Sequence, residues 1–173
     1  LFMTSPEINI DPTIAGSVVG TYWFLMMIGR LCGASIGAKV SSRAMLTVVS
    51  TVGIALVLGA IFCADNILVN MPVFKSDISF GFAQVPVNVM LLILCGLCTS
   101  VMWGGIFNLA VEGLGKYTAA ASGLFMVMVC GGGILPLIQG GVADFAGFLN
   151  SYWVIALGLA YILFYAAIGS KNV

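Results

Sequence analysis

The chain has 173 residues, with six Lys or Arg, six Asp or Glu and no His, so its formal charge is zero. Hydrophobic residues make up 61% and charged residues 7%, against about 25% charged in a soluble domain. So few charges exclude a water-covered globule and require the bilayer as solvent. Zero net charge gives no ground for nucleic-acid binding. The lack of His removes the commonest proton shuttle and metal ligand, so neither a metal nor another cofactor is expected.

Leu1 opens a polar segment without a basic region or cleavage site, so no signal peptide is expected. A first residue other than Met suggests part of a longer protein. A helical span needs about 20 apolar residues, and five segments meet that requirement. The first is expected at about Thr13–Ala38, with Asp11 as N-cap and Pro12 at the first helical position. Gly29, Gly33 and Gly37 lie on one face of it and permit close approach of another helix. Gly16 and Gly20 repeat the spacing. Arg30 sits roughly 12 Å from the inner end at 1.5 Å per residue. It either snorkels to the headgroups or pairs with an acid inside the bundle as a structural or gating contact.

Lys39–Ser42 is a short basic turn, and the second span is expected at about Arg43–Ala64. Asp65–Pro86 is an external loop, too polar and too broken to span. The third span is Val87–Val111. Ser100, Gly104, Asn108 and Glu112 recur on it every four residues, giving one small and polar stripe. Lipid offers that stripe no hydrogen-bond partner, so it faces protein or a water-filled path. Trp103, about 60° from the stripe, is either a stacking platform or a packing tryptophan.

The fourth span is expected at about Thr118–Phe145. Pro136 cannot donate to the carbonyl at position 132, and Gly131, Gly132 and Gly133 ease bending there. An interrupted helix near mid-membrane marks transport sites. Gln139, one turn on, either contacts substrate or bonds a neighbouring helix. The fifth span is about Ser151–Gly169. The expected fold is therefore an all-α membrane bundle of about five helices.

Cys95 and Cys98 form a CxxC without a soluble redox context, and we read them as small packing residues. No nucleophile–base pair and no phosphate-binding loop occur, so no enzyme is expected. Basic residues mark the cytoplasmic side. Lys39, Arg43, Lys116 and Lys171 fall on one side and Lys75 on the other. The N-terminus is then external and the C-terminus cytoplasmic.

Met26-Met-Ile-Gly29-Arg30-Leu-Cys-Gly33, the Lys39/Arg43 turn, Ser100-Val-Met-Trp103 through Gly115, Gly131-Gly-Gly-Ile-Leu-Pro136 and Gly141-Val-Ala-Asp144 cover most of the chain. In that order they resemble the C-terminal half of a major facilitator superfamily transporter, in the fucose permease and glucose/galactose transporter branch. The resemblance implies helices eight to twelve of a twelve-helix bundle whose two halves rock about a central site. It implies a monosaccharide as substrate, H⁺ as coupling ion and an N-terminal half as partner, in a bacterial inner membrane. Trp103 falls where relatives carry an aromatic near the sugar. Asn108 and Gln139 are added as substrate contacts on polarity and position. Gly29, Arg30, Gly33, Lys39 and Arg43 look like the cytoplasmic loop motif, although Gly37 or Ala38 stands where its acid would fall. The alternative reading is a non-transporting membrane subunit or scaffold whose polar stripe binds another chain.

Overall fold

The computed structural model describes residues 2–4, 9–37, 39–63, 67–74 and 79–172. Asp65, Asn66, Lys75 and Asp77, and the side chain of Lys171, lie outside that description. Helix α1 (Pro12–Gly37) starts on its Asp-Pro pair. Asp11 Oδ1 accepts the Thr13 N–H at 2.8 Å, and the Asp11 carbonyl accepts the Ala15 N–H at 2.9 Å. The Thr13 N–H has no partner inside the helix, so the carboxylate caps it, while the Asp11 carbonyl opens the helical ladder. Bonding to Thr13 holds the Asp11 carboxyl below its ordinary range.

Helix α2 (Ser42–Phe62) is capped by Ser41, whose hydroxyl accepts the Ala44 N–H at 3.3 Å. Strands β1 (Leu68–Phe74) and β2 (Phe80–Pro86) follow and pair antiparallel, from Leu68↔Pro86 to Phe74↔Phe80. Helix α3 (Val87–Val111) continues directly from β2. Then come α4 (Thr118–Met128), α5 (Gly131–Ala146) and α6 (Phe148–Ala167). Gly147, at φ 89°, lets α5 turn straight into α6. Five helical stretches are long and apolar enough to cross a membrane, the fourth being Gly115–Ala146, which contains α4 and α5. The chain is an all-α membrane protein in that sense, as its composition requires.

Two features depart from the expected elements. The loop before α3 holds a hairpin. Its alternation is regular: Met71, Val73, Ala83 and Val85 are buried, while Leu68, Asn70, Pro72, Phe82 and Gln84 are exposed. Pro72 argues against a central strand, yet in a two-stranded ribbon each strand is an edge and tolerates it. The interruption of the fourth span falls at Val129–Cys130, ahead of the glycine triplet, and Pro136 lies inside α5. At the interruption the backbone tightens. Val129 N–H bonds Met126 O, and Cys130 N–H bonds Val127 O, at 3.2 Å each.

Helix α3 is the centre of packing. On one side Leu46, Val57, Cys95, Cys98, Met102 and Leu159 close a core between α2, α3 and α6. The CxxC thiols are free and buried in it. On the other side Val18, Val89 and Ile93 meet the buried face of the hairpin. In contrast, no residue of Thr118–Ala146 is buried.

Helix α1 lies against α3 at almost backbone distance. A Cβ on Gly29 would collide with Ser100, and one on Gly33 with Val101. A Cβ on Gly96 would stand 2.9 Å from the Tyr22 ring and 3.2 Å from its carbonyl oxygen. Gly16, by contrast, has nothing within 4 Å. At the other end of the bundle Arg43 ties α2 to the turn Gly169–Asn172 that follows α6. Its Nε donates to Ser170 Oγ at 3.0 Å, and its guanidinium also donates to the Ser170 carbonyl.

Two outcomes follow for the full-length protein in detergent. Gly96→Ala destabilises by about 1–3 kcal/mol through overpacking at the crossing, whereas Gly16→Ala is neutral or slightly stabilising from helix propensity. Thermal unfolding of both variants checks this, and equal melting points would remove the crossing as a constraint. Arg43→Ala lowers stability by about 1.5–3 kcal/mol, the scale of hydrogen bonds to a charged group. Arg43→Lys does not restore it, because an ammonium cannot reproduce the forked geometry.

Candidate functional site

The polar stripe of α3 opens onto space at the end of the bundle where α1 ends and α2 begins. A cavity of about 680 Å³ there is lined by Ser41, Ser42, Arg43, Asn108 and Glu112, among others. A second, of about 300 Å³, adjoins it and shares Gly37, Ser42 and Asn108 with it. Arg30, Ser100 and Gly104 line this second space. The local causes are plain. Helical period places Ser100, Gly104 and Asn108 on one face. Gly33 and Gly37 of α1 carry no side chain to fill the gap, and the Ser41 cap turns the start of α2 into its wall.

This site combines a cation, an anion and an amide. The amide of Asn108 can donate and accept at once, and Glu112 accepts. Arg43 is already committed to Ser170. Such a set can hold a polar, uncharged molecule rich in hydroxyls, or water, but offers no nucleophile with a base. Arg30 is exposed and meets no acid among the described residues; its guanidinium reaches Met26 Sδ at 4.0 Å. Lys39 is exposed in the turn, where its N–H bonds Ile36 O at 2.8 Å.

The three expected substrate contacts lie in different places. Asn108 is exposed in the cavity just described. Trp103 stacks on Phe107, with centroids 5.7 Å apart and planes 1° apart, and meets Phe125 of α4 edge-on at 5.9 Å. That cluster joins α3 to α4, and Trp103 remains 49% exposed. Gln139 is half-buried beside α6, in a cavity of about 240 Å³ with Pro136, Ser151 and Tyr152. Gly131, Gly132 and Gly133 have nothing within 4 Å of where a Cβ would stand.

Sequence reading passed over one polar pair. Tyr22 and Thr99 hydroxyls lie 3.3 Å apart between α1 and α3. They border a mostly apolar space of about 420 Å³ with Cys95 and Tyr152. They stand on separate helices, and only the crossing of α1 on α3 brings them together.

No family model matches the chain, and no solved structure matches it significantly. Curated relatives do match. The glucose/galactose transporter of Brucella abortus (strain 9-941) is 30% identical over 172 residues, which is 99% of this chain and 37% of that protein. The same figures hold for the glucose/galactose transporter of strain 2308. The L-fucose-proton symporter of Escherichia coli K12 is 32% identical over 93 residues, 53% of this chain and 21% of that protein. The chain therefore spans 37% of the length of the glucose/galactose transporters it matches. These relatives carry the names of transporters, not of enzymes. Along nearly all its length this multi-pass membrane chain is thus similar to glucose/galactose transporters, and in part to an L-fucose-proton symporter, consistent with a C-terminal fragment of a major facilitator superfamily transporter.

Proposed function

We propose that the chain is part of a secondary active transporter that moves a monosaccharide of the fucose, glucose or galactose type by alternating access, coupled to H⁺. The observation that carries this reading is the match along 99% of the chain to a protein named as a glucose/galactose transporter. The membrane is a bacterial inner membrane, with the start of α1 external and the end of α6 cytoplasmic. The partner is an N-terminal half of the same protein.

In this reading Asn108 bonds sugar hydroxyls in the polar space between α1, α2 and α3. What supports that role is its exposure beside Arg43 and Glu112 in a cavity of about 680 Å³. Gln139 contacts the sugar from α5, and the exposed part of Trp103 covers an apolar sugar face. Arg30, Lys39 and Arg43 hold the cytoplasmic side. The break at Val129–Cys130 with Gly131, Gly132 and Gly133 lets α4 and α5 move separately, and Pro136 keeps one bond out of the following turn. The absence of side chains on the triplet supports this, since α5 can shift there without a clash.

Uptake of labelled fucose, glucose and galactose by cells making the full-length protein tests the reading. One of the three is expected to accumulate, and a protonophore is expected to abolish accumulation. Asn108→Ala is expected to lower uptake about tenfold, the loss of one net hydrogen bond of about 1.4 kcal/mol. Unchanged uptake in the combined Trp103→Ala, Asn108→Ala, Gln139→Ala protein would remove all three assignments.

A further inference from the structure

We propose that Arg30 also contacts the substrate. With Ser100 and Asn108 it forms one end of the sugar site, where its guanidinium takes two neighbouring hydroxyls of the monosaccharide. This rests on the transport reading and adds a specificity residue to it. The direction of the guanidinium decides its role. Arg30 stands seven residues before Gly37, the last residue of α1, roughly 10 Å from the inner end at 1.5 Å per residue. An arginine at that depth can snorkel toward the nearer headgroups. This one points the other way. Its Nη2 lies 4.0 Å from Met26 Sδ, and Met26 is one turn nearer the start of α1. The guanidinium is therefore carried toward mid-membrane.

A cation turned inward needs partners. Arginine has five N–H donors and keeps its proton, whereas a thioether is a weak acceptor. Intramembrane charges of this kind face the bundle interior or a water-filled cavity. Arg30 lines the cavity of about 300 Å³ together with Ser100, Gly104 and Asn108, and among the described residues no acid stands in its wall. Small-molecule sites span roughly 300–1,000 Å³, so the space suits a single sugar ring.

The wall opposite the guanidinium is built to match. Ser100 Oγ donates to Leu97 O at 2.5 Å, which leaves its lone pairs to accept. Asn108, two turns on, offers both donor and acceptor. Gly104 lies between them, and nothing stands within 4 Å of where its Cβ would be. A ligand can approach the bare backbone there closely. A ring over Gly104 thus meets donors from Arg30, an acceptor at Ser100 and both at Asn108. The guanidinium N–H groups are planar and fixed as a fork, so two neighbouring hydroxyl oxygens can accept them side by side. An ammonium is a point donor and cannot read such a pair. The fork therefore separates sugars that differ at one of the two hydroxyls.

The test uses the full-length protein with its native cysteines replaced and Gly104→Cys introduced, where the structure has room for the side chain. A small thiol reagent labels this cysteine in inside-out membrane vesicles, and the transported sugar is expected to protect it. The sugar concentration that halves labelling measures binding without transport. Arg30→Gln is expected to raise it roughly ten- to a hundredfold, the loss of hydrogen bonds from a charged group. Arg30→Lys, which keeps the charge, is not expected to restore it. Analogues lacking one hydroxyl each then separate contact from support. Two adjacent positions are expected to lose affinity toward the Arg30 protein and none toward Arg30→Gln, a pattern that an arginine with a purely structural role does not produce. Equal half-protection in the three proteins, or the same analogue losses with and without Arg30, overturns the proposal. Should Arg30→Gln fail to fold, Arg30→Lys carries the same comparison. If a sugar accumulates in cells yet leaves the introduced cysteine unprotected, the site is misplaced and the transport reading stands. If none of fucose, glucose and galactose accumulates or protects, the transport reading fails and this assignment with it.

Discussion

The contact on which this structure depends is the near-backbone approach of α1 to α3. Gly29, Gly33 and Gly96 remove side chains where the helices touch, and Ser100, Val101 and Tyr22 fill the space they leave. Between lipid-bathed helices no hydrophobic force favours association, so shape fit of this kind carries the packing. Once α1 is held there, its level relative to α3 is fixed. Everything at either end of the pair is then positioned by it.

At one end the pair makes a seat. Val18 of α1 and Val89 and Ile93 of α3 form a shared apolar surface on which the inward face of the hairpin rests. At the other end the pair leaves a gap. The glycines that bring α1 close continue to Gly37, where α1 has no side chain to occupy the space beside Asn108 and Ser42. Close contact in the middle thus produces a covered end and an open, polar end from one cause. The exposed α4 and α5 stand apart from this arrangement, joined to α3 by the Trp103, Phe107 and Phe125 rings and to α6 through Gly147.

Much of the fold was legible residue by residue. Apolar length gave the five spans, because a helix must carry about 20 apolar residues across the bilayer whatever its neighbours. Asp11 and Pro12 marked the start of α1, since capping is a local interaction. The hairpin was less legible. Its alternation is present at Met71, Val73, Ala83 and Val85, but the intervening Asn70, Pro72 and Gln84 read as loop until a helix surface exists to bury the other face. The break in the fourth span was legible as a region, from Gly131 to Pro136, but not as a position. A proline inside a helix removes one hydrogen bond, and whether the helix breaks there or continues, as α5 does, depends on the backbone around it.

The site divides in the same way. The sequence by itself determined that the stripe Ser100, Gly104, Asn108, Glu112 had to face protein or water, because helical period and the lack of partners in lipid are properties of one helix. It equally determined the small-residue face of α1. Only the tertiary structure decided what those faces meet. It put Asn108 with Arg43 and Glu112, set Trp103 on Phe107 and Phe125, and turned Gln139 toward α6, so that residues alike in polarity occupy separate surroundings. Pairing of this kind is decided by the angle and level at which helices cross. That angle depends on side-chain volumes from two or three helices at once, and no single stretch of sequence contains them.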